Sequence, residues 1–286
     1  MYQAPRQPAY RYRTASRPNR ALLYKTKRTA ALIILVTLVV GVLLFAFFEH
    51  YNKDTASPAS GSKTKQNATS QQPAQSQPAG FNKTAHSTTE NSSLWVVVNK
   101  KHQLSPKDYK PDNLVVPNIP LRSNITSTEK YVRADMGKAL ESLVKDASNQ
   151  GVHLNLQSGY RSYSFQVTLY NGYVAQQGQA SADRQSARPG YSEHQTGLAA
   201  DLGGTTQPSC NVAQCFSDTV EGKWLAANAY KYGFIIRYTT TDESVTGYEY
   251  EPWHVRYVGT DLSTEMHNQG VETLEEFFDI AGGTSY

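Results

Sequence analysis

Cysteine, methionine and tryptophan are scarce in this 286-residue chain, at two, three and three residues. With two cysteines a disulfide framework cannot carry the fold, so the folded part must rest on an apolar core. Acidic residues are absent from the first 29 positions, which hold eight Lys or Arg. Because the whole chain carries a formal charge of +4, everything after residue 29 sums to −4. Basicity is confined to the tail, which argues against a nucleic-acid surface on the folded part. The tail also lacks a periodic apolar pattern and reads as disordered.

Long apolar runs are absent with one exception. Ala30 to Phe48 is 19 residues without a charge, interrupted only by Thr37 and Gly41. As a helix it would span roughly 28 Å, close to the hydrocarbon thickness of a bilayer. A buried core helix or a cleaved signal peptide would also be apolar. The run exceeds the usual signal-peptide apolar region of about 7–15 residues, however, and no small-residue cleavage pattern follows it. The expectation is a single-pass anchor in the cell membrane, with the basic N-terminus cytoplasmic and the rest outside. Residues 49–93 then lack large apolar residues, Phe81 apart. Such a Ser/Thr/Gln/Pro-rich segment cannot repay its ordering entropy and reads as a flexible linker reaching about 35–40 Å.

Residues 94–286 suffice for one domain. Leu94–Val98 reads as a short strand. Thr126-x-x-Glu129 has the form of a capping box ahead of Val132, Met136, Leu140, Leu143, Val144 and Ala147, a helical stripe ended by Gly151. Val152, Leu154 and Leu156 alternate with polar residues, as a half-buried strand does, leaving His153 exposed. Helices are predicted over Tyr163–Gln177, ahead of Pro189, from a Ser217 cap to Tyr232, and after a Thr273 cap. Strands are predicted near Asp201, over Phe234–Tyr238 and over Tyr248–Val258. The order has no βαβ rhythm, so the fold class is α+β with a small, largely antiparallel sheet.

Chemistry concentrates in two segments, Ser192-Glu193-His194-Gln195-Thr196-Gly197-Leu198-Ala199-Ala200-Asp201 and Glu251-Pro252-Trp253-His254. His194, Asp201 and His254 form a plausible zinc ligand set, two imidazoles and a carboxylate with a fourth position free for water. Glu251 is then the candidate general base. In a regular strand Glu251 and His254 would face opposite sides, so a bulge or bend is expected at Pro252-Trp253. His50, His86, His102, His153 and His267 carry no such pattern. Cys210 and Cys215, in a loop after Asp201, read as a disulfide if the domain lies outside the membrane. A second zinc site or a catalytic thiol has less support.

These two segments, with Ser158-Gly159-Tyr160-Arg161-Ser162-Tyr163 upstream, resemble the VanY-like zinc D-alanyl-D-alanine carboxypeptidases, which share the fold of the D-Ala-D-Ala dipeptidases and the Hedgehog signalling domain. The resemblance covers roughly Leu94 to the C-terminus. It implies a small sheet flanked by helices, one zinc ion, and Arg161 as a cation against the substrate carboxylate or the developing oxyanion. It also implies substrate contacts by Gln166, Ser192 and Tyr238, although an amide and a hydroxyl at such positions are often only structural. The activity it implies is removal of the terminal D-Ala from peptidoglycan stem peptides. An L,D-carboxypeptidase acting on tetrapeptide stems is the near alternative. A zinc-stabilised wall-peptide binding module is the alternative from another class, and Glu251 argues against it.

Overall fold

The structure is a computed structural model that describes residues 80–286. The expected basic tail, the membrane helix and the linker up to residue 79 lie outside the described residues. Among the described residues no helix is long and apolar enough to cross a membrane.

The domain is α+β. A minimal ladder pairs β1 (Leu114–Val115) with β2 (Val132–Arg133). The main sheet has four strands, β3 (Leu154–Ser158), β4 (Ala199–Gly204), β5 (Phe234–Tyr238) and β6 (Glu251–Tyr257). Their order is β3-β4-β6-β5 and every pairing is antiparallel. Helix α1 (Ala134–Asn149) lays Met136, Leu140, Leu143, Val144 and Ala147 into the core that also takes Leu154, Leu156, Leu202, Phe234 and Val255. Each of these side chains larger than alanine, fully buried, contributes roughly 1.5–3 kcal/mol. Helices α2 (Tyr163–Gln177) and α3 (Gln179–Gln185) follow β3, and α4 (Val220–Asn228) follows β4. One turn of helix, α5 (Glu243–Thr246), sits between β5 and β6. Helices α6 (Thr260–Gln269) and α7 (Leu274–Phe278) close the chain.

The ordered chain begins earlier than residue 94. Phe81 stacks on Trp95 with centroids 5.6 Å apart and meets Phe277 edge-on at the same distance. A single aromatic residue in a polar segment thus fastens residues 80–93 to a second core of Trp95, Val97, Ile235, Leu262, Met266 and Phe277. Leu94–Val98 is no strand: it forms no ladder, and its side chains serve both cores.

Two caps differ from their sequence forms. Glu129 N–H does donate to Thr126 Oγ1 (3.3 Å), but the turn they close precedes β2, and α1 starts only at Ala134 behind Arg133. The cap of α4 is Thr219, which accepts from Gly222 N–H, and not Ser217. Helix α6 was not predicted because only Leu262 and Met266 mark its apolar side. By contrast α2, stopped at Gly178, and the Thr273 cap of α7 stand where the sequence puts them.

Gly159 is a close approach that the site depends on. A Cβ there would sit 2.3 Å from the Tyr131 carbonyl oxygen and 2.9 Å from that of Glu129. Both contacts are backbone, so relief requires a chain shift. Gly159→Ala is expected to cost about 1–3 kcal/mol by overpacking, a thermal midpoint roughly 2–10 °C lower. An unchanged midpoint in calorimetry would contradict this packing.

Candidate metal centre and active site

Strand register brings the predicted residues together. Asp201 on β4 and His254 on β6 are direct cross-strand partners, so their side chains leave the same face of the sheet. His194 comes from a 3-10 turn, Glu193–Thr196, that enters β4 through Gly197. Gly197 has φ +69° and its N–H donates to the His194 carbonyl (3.1 Å), which closes the turn. The expected irregularity in β6 is present. Between Ile236↔Val255 and Tyr238↔Glu251 the partner strand advances two residues while β6 advances four. Across this irregularity Glu251 Oε2 lies 3.6 Å from His254 Nδ1.

The donor atoms of His194, Asp201 and His254 lie within 4.8 Å of one another, all buried. His194 Nε2 and His254 Nδ1 are each 3.3 Å from Asp201 Oδ1. His194 Nε2 and Asp201 Oδ1 have no hydrogen-bond partner. Buried lone pairs left bare cost folding energy unless something binds them. Two imidazole nitrogens and a carboxylate oxygen suit zinc with one position open. The remaining ring nitrogens are already engaged, which fixes both tautomers. His194 Nδ1 donates to the Gly159 carbonyl (2.7 Å), leaving Nε2 as ligand. His254 Nε2 meets Glu193 Oε2 at 3.3 Å, leaving Nδ1 as ligand.

Glu193 is the residue that spacing did not single out. Its carboxylate is fully buried and accepts from Arg237 Nε and Arg256 Nη1, each at 2.8 Å. Burial pushes its pKa up, yet the two guanidiniums hold it well below the usual carboxylate range. Arg237 in turn forks onto Glu275 of α7 at 2.8 and 2.9 Å. A signal was present in the sequence: Arg237 follows the apolar run Phe234–Ile236 and Arg256 follows Val255 in a predicted strand, and charges there need buried partners.

The cluster opens into a pocket of about 490 Å³, which Arg161, Ser192, Tyr238 and Glu251 also line. Arg161 Nη2 is 3.9 Å from Asp201 Oδ2 and its Nε has no partner. Gln166 is not on the pocket wall. It is 1% exposed and donates to Ser186 Oγ (3.1 Å) and the Ala187 carbonyl (2.7 Å), bracing two residues that are. Trp253 and Tyr248 line the pocket and were not anticipated. Cys210 and Cys215 form the expected disulfide, Cα atoms 5.3 Å apart, and Val212, Ala213 and Gln214 between them border the pocket.

Burial raises the Glu251 carboxyl to about 8, with Asp201 adding to the shift and His254 opposing it. Burial pushes His254 down, but the Asp201 and Glu193 carboxylates beside it raise it to about 9. At pH 7 the metal-free site therefore holds protons that must leave when a dication enters. Calorimetric titration with zinc in buffers of different ionisation enthalpy should show at least one proton released at pH 7, and affinity should rise toward pH 9. Zinc binding without proton release would refute this account. Removing the Glu193 carboxylate as Glu193→Gln should weaken zinc binding about 10–100-fold, the usual worth of such an outer partner. Competition with a chromogenic chelator measures it, and an unchanged affinity would contradict the role.

The family model described as VanY: D-alanyl-D-alanine carboxypeptidase matches residues 129–260. The Bacillus subtilis (strain 168) protein YodJ is 39% identical over 186 residues, 65% of this chain and 67% of that protein. The LD-carboxypeptidase LdcB, whose structure is described as revealing the molecular basis of peptidoglycan recognition, superposes with a TM-score of 0.62 at 38% identity, over 67% of this chain and 88% of that one. The vancomycin-resistance D,D-pentapeptidase VanY in complex with Zn(II) superposes with a TM-score of 0.53 at 29% identity, over 66% of this chain and 99% of that one. Two imidazoles, a carboxylate, a buried acid beside them and these likenesses converge: the chain belongs to the VanY family of D-alanyl-D-alanine carboxypeptidases and is a zinc-dependent metallo-carboxypeptidase.

Proposed function

We propose that this enzyme removes the terminal D-Ala from peptidoglycan stem peptides, with zinc held by His194, Asp201 and His254. The observation that carries the reading is the presence, in one pocket, of a buried acid and a cation. Glu251 lies 3.6 Å from a candidate ligand, and Arg161 has an unpartnered Nε. Bound zinc would polarise the scissile carbonyl and acidify the attacking water. Glu251 accepts the water proton and passes it to the departing amine, whose bond to the carbonyl carbon breaks. Its position beside the ligand His254 suits that exchange, since a general base must sit within reach of the water it deprotonates. Arg161 pairs with the terminal carboxylate, which a guanidinium can grip with two donors. Ser192 and Tyr238 complete the wall around the peptide, and Gln166 supports that wall from behind.

A second reading, L,D-cleavage of tetrapeptide stems, draws support from the likeness to LdcB in identity and TM-score. For location we propose a membrane anchor at Ala30–Phe48, supported by the 19 uncharged residues and the eight cations before them. Residues 49–79 would then give the domain reach into the wall.

Synthetic stems separate the readings. Zinc-loaded enzyme should release D-Ala from a pentapeptide faster than from a tetrapeptide, and the reverse order would support L,D-cleavage. Glu251→Gln should retain zinc and lose about 10²–10⁴ in rate, the worth of a positioned general base. A pentapeptide amidated at its C-terminus should be cut about ten- to over a hundredfold more slowly than the free acid. Equal rates on amide and acid would overturn the carboxypeptidase reading in favour of an endopeptidase.

A further inference from the structure

The disulfide loop after β4 carries a residue that the fold does not explain. Cys210 to Ala213 is a tight turn closed by Ala213 N–H on the Cys210 carbonyl at 3.1 Å. Asn211 has φ −62° and ψ 129°, and Val212 follows with φ +56°. Those angles match a type II turn, whose third position calls for glycine or asparagine. A β-branched residue there is an outlier, held only where the surroundings over-determine it.

The surroundings do over-determine it. The disulfide ties the first residue of the turn to Cys215, two residues past its last. Asn211 Oδ1 accepts from Gly204 N–H (2.8 Å) and Asn211 Nδ2 donates to the Gly204 carbonyl (3.1 Å). Below the loop Glu221 Oε1 accepts from Thr205 and Thr206 N–H at 2.8 and 3.0 Å. The loop is thus riveted to the end of β4, three residues beyond Asp201. Yet Val212 fills no core: it is 46% exposed, and what it borders is the active-site pocket. A strained, unburied, rigidly held apolar side chain facing a substrate pocket is a display position. Leu169 and Tyr173 of α2 border the same pocket and give it further apolar lining.

We propose that Val212 is a specificity-determining contact. It offers an aliphatic surface to the part of the peptide on the acyl side of the cut bond, and so favours an aliphatic side chain there over a charged one. This rests on the peptidase reading above: Arg161 takes the carboxylate of the single residue released, and the rest of the pocket is left to the acyl side.

Strain and contact give opposite signs, which separates this role from a structural one. On a Glu251→Gln background, which slows turnover, calorimetry measures the affinity of the zinc-loaded protein for a stem pentapeptide. Adding Val212→Gly should weaken binding about 3–30-fold, the worth of a partly buried aliphatic side chain. The same change should raise the thermal midpoint, because glycine takes this conformation freely. Val212→Ile should keep the affinity. An unchanged affinity in Val212→Gly, or a loss accompanied by a lower midpoint, would overturn the proposal. D-Ala release by the wild-type enzyme is measured separately. Its absence would count against the peptidase reading, while the affinity ratio still decides the role of Val212.

Discussion

The constraint that the rest of the site depends on is the buried carboxylate of Glu193 between two buried guanidiniums. Four charges, those of Glu193, Arg237, Arg256 and Glu275, are taken out of water and sum to zero. Desolvating each ion costs several kcal/mol, and only a full set of hydrogen bonds offsets that. The set is nearly complete. Arg256 spends Nη2 on the Val96 carbonyl at 2.7 Å, and Asn99 Nδ2 donates to Glu275 Oε1 at 2.8 Å. Hydrophobic replacements could make an equally stable core. What they could not do is hold His254 Nε2 in a fixed hydrogen bond and leave Nδ1 for a metal.

Strand geometry does the remaining positioning. Asp201 and His254 come into reach because antiparallel register sets them opposite one another. Glu251 joins them because β6 carries extra residues beside Pro252, where a regular ladder could not continue. His194 arrives from a turn whose carbonyl also accepts Arg161 N–H at 3.3 Å, so Arg161 and the metal ligand share one backbone contact. Each ligand thus sits on an element whose movement would break several hydrogen bonds. Such rigidity is what keeps a site in productive geometry.

Burial sets the electrostatics of the pocket in two directions. Glu193 has two guanidinium partners in hydrogen-bond contact and stays ionised, whereas burial raises metal-free Glu251 to about 8, with His254 and Arg161 opposing the shift. Two acids fifty-eight positions apart in sequence are thereby given different tasks by their neighbours.

Read alone, the sequence determined much of this protein. The α+β class, α2 with its Gly178 stop and the strand over Phe234–Tyr238 followed from local periodicity and stop signals, which short-range backbone physics sets. His194, Asp201, Glu251, His254 and Arg161 were legible because their motifs survive as contiguous strings, and the break at Pro252 because proline cannot donate to a ladder. Tertiary structure alone decided the rest. Glu193 became a partner of His254 only once β5 and β6 brought Arg237 and Arg256 beside it. Phe81 packed against a core only when Trp95 and Phe277 closed on it. Gln166 moved behind the pocket wall, and Val212 onto it, according to how α2 and the disulfide loop pack. Those outcomes depend on contacts between residues far apart in the chain, which no local pattern of residue types encodes.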